Sequence, residues 1–247
     1  MGTLIKSDLE HEYDEKKRKR RAVNLSHAEN GVVFFDLDMA LIGENVIIGR
    51  GSYIGPSVIL TGQTEIGEDC VIGQSCRIEN SRIAKGCNVD QSVIKDSVVG
   101  ENTAVGPFAY MRPGSIVGAR CKIGDFVEIK NSTIGDDTKV SHLSYIGDAD
   151  LGKGINIGCG VVFVNYDGRD KHRSTVGDGA FIGCNTNIIS PVTIEDGSYV
   201  AAGSTVTHRV PAGALLVARP KEQIQEGWVE RRGLLKDRLE KMERENS

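Results

Sequence analysis

Aliphatic residues recur along this chain at a step of six, and this period constrains the possible fold more than any other feature of the sequence. The first steps are uninterrupted and fall at Ile42, Ile48, Ile54, Leu60, Ile66, Ile72 and Ile78. The rhythm continues, with some shorter steps, at Ile83, Val89, Ile94, Val99, Val105, Met111, Val117, Ile123, Ile129, Ile134, Val140, Ile146, Leu151, Ile157 and Phe163. After a gap it resumes at Val176, Ile182, Ile188, Ile194, Val200 and Val206. So many consecutive steps exclude an accidental repeat.

A period of six is neither the 3.6-residue period of a helix nor the two-residue period of an ordinary strand. It is the signature of a β-helix, in which each step is one short strand and three steps close one triangular coil. The positions in residues 42–206 therefore predict about nine coils of an all-β solenoid. Each aliphatic side chain points into the shared core, and Gly, Asn or Asp at the corners tolerates the backbone angles of the turns.

The composition agrees with a narrow, regular core. Aromatic residues make up only 5% of the chain, whereas there are 30 glycines. A core with few rings must be filled by small and β-branched side chains, and Ile and Val are plentiful here. With 39% hydrophobic and 26% charged residues, the chain has the composition of a folded, soluble protein.

Several steps contain five residues instead of six. They are the segments 78–83, 89–94, 94–99, 129–134 and 146–151, and each carries Ser, Asp or Asn in the shortened step. Short polar side chains can hydrogen-bond to nearby backbone groups. We therefore predict that these steps form tighter corners.

Charge and cysteine content narrow the range of functions. The net charge of −4 gives no reason to expect nucleic acid or an anionic membrane as a partner. No apolar run reaches the length of a membrane span, and the first 21 residues lack the apolar centre of a secretory signal. The six cysteines show neither a C-x-x-C pair nor zinc-ligand spacing, so we expect free thiols in a cytoplasmic protein and no metal site.

Charged segments flank the repeat and suggest three regions. Residues 5–24 have a helical pattern, and their basic run, KKRKRR, is either a nucleic-acid patch or, as we favour, a solvated helix face. Residues 221–247 place Leu234, Leu235, Leu239 and Met242 at helical spacing. We predict a charged N-terminal helix or linker over 1–30, a β-helix domain over 31–220 and a helical tail over 221–247.

The repeat is interrupted once, between Phe163 and Val176. In a solenoid an insertion forms a loop on one face, and such loops often carry function. This loop contains polar, basic and aromatic side chains: Asn165, Tyr166, Asp167, Arg169, Lys171, His172 and Arg173. It is suited to bind phosphate, although a solvated turn is an equal alternative from the loop alone.

Four further residues depart from the repeat in the same stretch. Arg112 follows a core position, Lys130 flanks another, and His142 lies about one coil above Lys130 and one below Asn156. A single His on a strand is more often structural than catalytic. Placement of these side chains on one face would favour a site.

At these residues the sequence resembles a specific family. The motifs RPG, GDFVEIKNS, SHLSYIGDADLG, NIGCG, NYDGRDKH, FIGCNT, PVTI and AAGSTV occur in the order found in the acetyltransferase part of a bacterial bifunctional enzyme. That enzyme is glucosamine-1-phosphate N-acetyltransferase / N-acetylglucosamine-1-phosphate uridyltransferase, of the hexapeptide-repeat transferases. The resemblance is close over residues 99–228 and looser over 31–98. It implies a left-handed parallel β-helix, a homotrimer and active sites between neighbouring subunits.

The resemblance also implies a reaction and roles for individual residues. The reaction is acetyl transfer from acetyl-CoA to the amine of glucosamine 1-phosphate, a step towards UDP-N-acetylglucosamine and cell-wall precursors. His142 matches the general base, a task that suits an imidazole. The matches to sugar-phosphate contacts are Arg112, Lys130, Tyr145, Asn156 and Lys171, the last on a loop that a neighbouring subunit could deliver. The matches to acetyl-CoA contacts are Cys159, Asn165, Tyr166, Cys184, Ala202 and Arg219.

This chain departs from the family at three points. Cys159 stands where the family has Ala, and Cys184 where it has Ser; both are tolerated if the contact is made by the backbone, whereas a thiol replaces a hydroxyl poorly as a hydrogen-bond partner. A thiol beside a thioester also raises the possibility of self-acylation, which we disfavour. The Gly-rich nucleotide-binding half of the family has no counterpart here, so we expect neither uridyl transfer nor a catalytic magnesium ion.

Two alternatives accompany the acetyltransferase hypothesis. One is an acyltransferase that acts on another amino sugar phosphate, which acceptor profiling would separate. The other is a non-catalytic trimeric β-helix used as an assembly module. The combination of cations, His and Tyr argues against the second alternative, because a silent module has no physical need for it.

Overall fold

The computed structural model describes the backbone of residues 2–245 and the side chains of residues 9–245, and it confirms the predicted parallel β-solenoid. The chain visits three sheets in turn, so each strand pairs in parallel with the strand three places further along. Ile123, Val140 and Ile157 illustrate this register, because they lie directly above one another on successive coils.

The three faces of the solenoid are named here sheets A, B and C. The strands of sheet A are β1 Val33–Phe34, β4 Tyr53–Ile54, β7 Val71–Ile72, β10 Asn88–Val89, β13 Ala104–Val105, β16 Lys122–Asp125, β19 Lys139–His142, β22 Asn156–Ile157, β25 Phe181–Ile182, β28 Tyr199–Val200 and β30 Leu215–Leu216. The strands of sheet B are β2 Leu41–Ile42, β5 Ile59–Thr61, β8 Arg77–Glu79, β11 Val93–Lys95, β14 Tyr110–Met111, β17 Glu128–Lys130, β20 Tyr145–Gly147, β23 Val162–Val164, β26 Asn187–Ile189 and β29 Thr205–Val206. The strands of sheet C are β3 Ile47–Ile48, β6 Glu65–Ile66, β9 Arg82–Ile83, β12 Val98–Val99, β15 Ile116–Val117, β18 Thr133–Ile134, β21 Ala149–Leu151, β24 Ser174–Val176 and β27 Thr193–Ile194.

The core is one continuous stack of aliphatic side chains. Every position predicted to point inward, from Ile42 to Val206, is buried. Burial of each such side chain stabilises the fold by about 1.5–3 kcal/mol before the entropy cost of folding. Within residues 2–245 the sheets hold 11, 10 and 9 strands, or about ten coils, because strands β1 and β30 extend the solenoid beyond the predicted range.

The five-residue steps form tighter corners, as predicted. Each has one residue in the left-handed backbone region, with φ between 41° and 49°: Asn80, Gln91, Asp96, Asn131 and Asp148. A serine follows in four of the five, and its hydroxyl donates to the backbone; Ser81 Oγ, for example, lies 2.7 Å from the Glu79 carbonyl oxygen. These hydrogen bonds tie each serine side chain to the backbone of its own corner.

Glycines that directly follow core positions are required for another reason than the residues at the tight corners. A side chain at Gly158 would bring its Cβ within 2.6 Å of the Cys184 backbone nitrogen on the next coil. The coils approach too closely there for any residue with a Cβ atom, so the glycine is required by contact between coils rather than by its backbone angles.

The N-terminal helix extends beyond residues 5–24, the segment predicted to be helical. It spans Gly2–Glu29 and is named α1. Its C-terminal end covers the first coil, where Val23 packs against the core and the buried Asn24 side chain donates to the carbonyl oxygens of Leu37 and Ala40 at 2.8 and 3.0 Å. The helix thereby closes one end of the apolar stack.

Ion pairs engage part of the basic run in α1. Lys16 pairs with Glu12 at 2.6 Å, Lys19 with Glu15 at 2.8 Å, and Arg21 with Asp38 at 2.5 Å. Such pairs are typical of a solvated helix face. They favour that interpretation over a nucleic-acid patch.

The C-terminal tail contains two helices, α2 over Trp228–Arg231 and α3 over Leu234–Glu245. The predicted helical tail is present up to Glu245, whereas Asn246 and Ser247 lie outside the described residues. Among the helices of residues 2–245, none combines the length and apolar character that crossing a membrane requires.

Candidate active site

His142 ends the unusually long strand β19, at the corner between sheets A and B. The pairing of β16 with β19 continues to this last residue, so Asp125 lies directly below His142. The Nδ1 atom of His142 is 2.5 Å from Oδ1 of Asp125. The His142 side chain is 54% exposed, so the imidazole faces solvent and is held from below by a carboxylate.

Small residues stack above His142 on successive coils and form a straight column. Because Val140 lies in register with Ile157, and Ile157 with Ile182 and then Val200, the residues two places later also stack. That column is His142, Cys159, Cys184 and Ala202. At about 4.8 Å per coil it runs about 14 Å along the solenoid. Arg219 lies at its upper end, where Nη1 donates to the Ala202 carbonyl oxygen at 2.9 Å.

Two of the six free thiols line this column. Cys184 is exposed and Cys159 is partly exposed, whereas Cys70, Cys76, Cys87 and Cys121 are buried. The short side chains of Cys159 and Cys184 leave the column open to a linear molecule that lies along the axis of the solenoid. The sequence had matched both positions to acetyl-CoA contacts, and the structure places them on one line with His142.

Three cations converge on sheet B, and we call them the cation cluster: Arg112, Lys130 and Lys171. Arg112 lies one coil below Lys130, since the preceding residues Met111 and Ile129 are in register. Lys171 reaches Lys130 from the inserted loop of the same chain. Within one chain the inserted loop already brings Lys171 to Lys130, and the suggested delivery of Lys171 by a neighbouring subunit stays a prediction.

The cation cluster carries more positive charge than its surroundings neutralise. The nearby ammonium of Lys171, together with burial, lowers the pKa of Lys130. Arg112 donates to Glu128 at 2.9 Å, and that carboxylate raises the pKa of Arg112. Since crowded ammonium groups repel one another, an anion bound between them would be favoured, and a phosphate accepts several charge-assisted hydrogen bonds.

Asp148 connects the cation cluster to neighbouring polar side chains. It accepts from Asn131 Nδ2 at 2.6 Å and from Asn165, and its Oδ2 atom lies 3.7 Å from Nζ of Lys130. Burial alone would raise the pKa of Asp148, but these hydrogen bonds and the charges of Lys130 and Lys171 outweigh it and lower the pKa. The carboxylate therefore stays ionised and holds Lys130 and Asn165 in place.

Tyr145 lies flat on sheet B beside this network. A side chain at Gly147 would collide with the Tyr145 ring and hydroxyl group, so the absence of a side chain there makes room for the ring. The hydroxyl is 3.5 Å from Nδ2 of Asn165. Tyr145 therefore points towards the cation cluster.

The inserted loop, residues 165–173, is held in a defined shape. Asp167 accepts hydrogen bonds from the backbone N–H groups of Arg169 and Asp170 at 2.8 and 2.7 Å and from Nε2 of His172 at 2.7 Å. Arg173 anchors the end of the loop through Asp150, with Nε donating at 2.6 Å. These contacts order the loop. Tyr166, at the start of the loop, remains 56% exposed.

Asn156 lies apart from the cation cluster. It belongs to β22 of sheet A, in register between Lys139 and Phe181, whereas Lys130 belongs to sheet B. The expectation that His142, Lys130 and Asn156 share one face was wrong. Within one chain, Asn156 and Lys130 lie on different faces of the solenoid.

The sequence missed Asp125 and Asp148. Asp148 was interpreted only as a corner residue of a shortened step, and Asp125 was not singled out. Each acquires its role from the residue one coil above or below, about 17 positions away in the chain. The spacing itself was the available signal, because Asp125 and His142 are separated by one coil length.

The repeat and the fold define the class of protein. Residues 173–208 match the model for the bacterial transferase hexapeptide (six repeats), and residues 38–119 match the model for the GMPPB C-terminal domain. The chain is thus a hexapeptide-repeat solenoid, as the sequence predicted, and over residues 173–208 it is similar to bacterial transferases with this repeat.

Within that class, the chain is similar to bacterial proteins named bifunctional protein GlmU. It is 54% identical over 220 residues to the one from Clostridium acetobutylicum, a match that covers 89% of this chain and 48% of the relative. The relative from Clostridioides difficile is also 54% identical, over 86% of this chain and 46% of its own length. The chain spans about half the length of these relatives. The resemblance stated from the sequence motifs is confirmed.

Solved structures share the fold. The UDP-N-acetylglucosamine acyltransferase from Francisella novicida matches with a TM-score of 0.55 and 18% identity, over 81% of this chain and 74% of that one. The corresponding acyltransferase from Arabidopsis matches with a TM-score of 0.50 and 16% identity, over 79% and 76% of the two chains. At this level of identity the likeness concerns the fold alone.

Proposed function

We propose that this protein transfers the acetyl group of acetyl-CoA to the amine of glucosamine 1-phosphate. The product, N-acetylglucosamine 1-phosphate, would supply UDP-N-acetylglucosamine synthesis. One observation carries the proposal: His142 stands at the foot of an open column of small residues, at the corner that leads from sheet A into sheet B, and the cation cluster lies on sheet B. That arrangement brings together a proton acceptor, a path for a linear acyl donor and a site for a phosphorylated acceptor.

The acceptor is held by charge and by hydrogen bonds. Arg112, Lys130 and Lys171 offset the dianionic phosphate, and Asp148 and Glu128 keep two of these cations in position. Tyr145 lies between the cation cluster and His142 and binds the sugar. The sugar amine is thereby directed towards the corner where the imidazole stands.

The donor lies along the column. Cys159, Cys184 and Ala202 present small side chains, so acetyl-CoA can approach closely. Asn165 and Tyr166, at the start of the inserted loop, contact it from the side of sheet B. Arg219, at the upper end, is placed for a phosphate of the CoA nucleotide.

His142 accepts a proton during the acyl transfer. The neutral amine nitrogen attacks the thioester carbonyl carbon; a C–N bond forms and the C–S bond breaks. An amine proton passes to Nε2 of His142 and then to the departing thiolate, which leaves as the free thiol of CoA. General-base catalysis of this kind contributes about 10² to 10⁴ in rate.

The site is completed between subunits of a homotrimer. Asn156 can contact a ligand on sheet B only if it comes from another copy, because within one chain it occupies sheet A. An apolar ridge beside His142 supports such an interface: Phe108, Phe126 and Leu143 stack on successive coils with half or more of each side chain exposed. Exposed apolar surface of this kind is typical of protein contacts.

We place the protein in the cytoplasm. All six cysteines are free thiols, and thiols persist in a reducing compartment. The substrates of the proposed reaction, CoA thioesters and sugar phosphates, are intracellular metabolites, and the localisation rests on the proposed function to that extent.

A thiol-release assay tests the proposal. The protein is incubated with acetyl-CoA and, in parallel, with glucosamine 1-phosphate, glucosamine or galactosamine 1-phosphate. Free CoA that forms only with glucosamine 1-phosphate supports the assigned donor and acceptor. Release with galactosamine 1-phosphate alone would move the assignment to another amino sugar phosphate, and silence with all three acceptors from a folded protein would reject acetyl transfer to these amines.

A further inference from the structure

The backbone of two neighbouring coils is shaped to bring one carboxylate under His142. Strands β16 and β19 contain four residues each, where most strands contain two or three, and their pairing runs on to Asp125 and His142. A side chain at Gly124 would collide with the Ser141 carbonyl oxygen, so the two coils approach unusually closely one residue before the pair. The Leu143 N–H donates to the Asp125 carbonyl oxygen at 2.9 Å and fixes the next residue as well.

The charge state of Asp125 determines which imidazole nitrogen carries the proton. The hydrogen bond from His142 holds the pKa of Asp125 below its usual range, and the nearby Lys122 acts in the same direction. An ionised carboxylate can only accept hydrogen bonds. The short contact at Nδ1 therefore requires a proton on Nδ1, which leaves the lone pair of the neutral ring on Nε2.

We propose that Asp125 is a positioning residue for His142. Its carboxylate fixes the orientation of the ring and the tautomer with a free Nε2, and it stabilises the imidazolium formed when Nε2 takes the proton. This role deepens the proposed acetyl transfer and rests on it. Carboxylate partners of metal-bound histidines contribute about 10- to 100-fold to activity, and we expect the same range for this pair.

Two substitutions separate positioning from a merely structural role. Asp125→Ala removes the acceptor, and Asp125→Asn keeps the size but offers both a donor and an acceptor, so the tautomer is no longer fixed. Since the backbone bond from Leu143 uses the Asp125 carbonyl group, both variants retain the corner. Glu65→Ala is the control; it removes a partly exposed carboxylate that pairs with Arg82 at 3.4 Å on sheet C.

The experiment measures kcat and KM for glucosamine 1-phosphate, together with the ¹⁵N spectrum of histidine-labelled protein. For Asp125→Ala we expect kcat to fall about 10- to 100-fold with KM within about two-fold of native, and the His142 signals to change from the Nδ1–H tautomer to a mixture. Asp125→Asn should show the same two changes, and Glu65→Ala neither.

A native kcat in Asp125→Ala, or unchanged His142 signals in that variant, would overturn the positioning role. The spectrum also separates this inference from the proposed reaction. If the native protein released no CoA with any acceptor while the tautomer still depended on Asp125, acetyl transfer would be rejected and the His142–Asp125 pairing retained.

Discussion

At the scale of single residues, His142 and Lys130 have different tasks, and steady-state kinetics distinguishes them. A group that acts only in the transition state changes kcat, whereas a group that binds substrate and transition state alike changes KM. His142 faces solvent at a corner, and Lys130 lies in a crowded, charged surface of sheet B. Neither side chain contributes to the apolar core, so both can be replaced without opening a cavity.

For His142→Ala we expect kcat to fall by about 10² to 10⁴, because the proton acceptor is lost. The thermal unfolding temperature and the affinity for acetyl-CoA should stay close to native. His208→Ala, which changes another exposed histidine near the far end of the solenoid, is the matched control. Native activity in His142→Ala would show that another group accepts the proton.

For Lys130→Ala we expect the KM for glucosamine 1-phosphate to rise about ten-fold or more, since a charge-assisted contact with the phosphate is worth about 1.5–3 kcal/mol. The KM for acetyl-CoA should change little. Lys95→Ala is a close control, because Lys95 occupies the same column of sheet B two coils below Lys130. An equal rise in KM for both variants would indicate a general effect of charge rather than a phosphate site.

At the scale of elements, the inserted loop depends on one carboxylate. The pKa of Asp167 lies well below its usual range because of the hydrogen bond from His172 and those from the Asp170 and Arg169 N–H groups. A lowered folded-state pKa stabilises the loop at pH values above the ordinary pKa of Asp, about 3.9. The stabilisation is lost as the pH falls through the folded-state pKa.

We therefore expect the loop to loosen at acidic pH before the coils unfold. Hydrogen exchange should show the Arg169 and Asp170 amides well protected at neutral pH and less protected when Asp167 is protonated. Asp167→Ala should abolish that protection at neutral pH, whereas Asp170→Ala should retain it at Arg169. Equal protection in Asp167→Ala and native protein would contradict this account of the loop.

The sequence predicted the elements that depend on local pattern. The inward positions from Ile42 to Val206 and the tight corners follow from residue type and step length, and all were confirmed. The faces of the site residues were harder to predict. Whether Asn156 lies above Lys130 depends on every step between them, and the five-residue steps shift that count. Contacts such as Asp125 with His142 also require the inter-coil register, which only the fold supplies.

At the scale of the whole molecule, the division of the site between sheets predicts complementation between subunits. Lys130→Ala and Asn156→Ala subunits, each weakly active alone, should regain activity when they are unfolded and refolded together. In a random mixture about a quarter of the interfaces pair an intact sheet B with an intact sheet A. A mixture of Arg112→Ala and Lys130→Ala should regain nothing, because both residues lie on sheet B of one chain.

Complementation by the Arg112 and Lys130 variants, or none by the Lys130 and Asn156 variants, would contradict a site shared between subunits. Full activity of Asn156→Ala alone would remove Asn156 from the site. Sedimentation of the native protein should show three chains per particle, as the proposed homotrimer requires.

Identification of the product tests the central claim most directly. Native protein is incubated with acetyl-CoA, labelled with ¹³C at the acetyl carbonyl, and glucosamine 1-phosphate, and the product is examined by NMR. We predict that the label appears as an amide carbonyl coupled to the proton of the nitrogen on carbon 2 of the sugar. Label in an ester of a sugar hydroxyl, or label that remains in the thioester, would contradict acetyl transfer to the amine at the His142 corner.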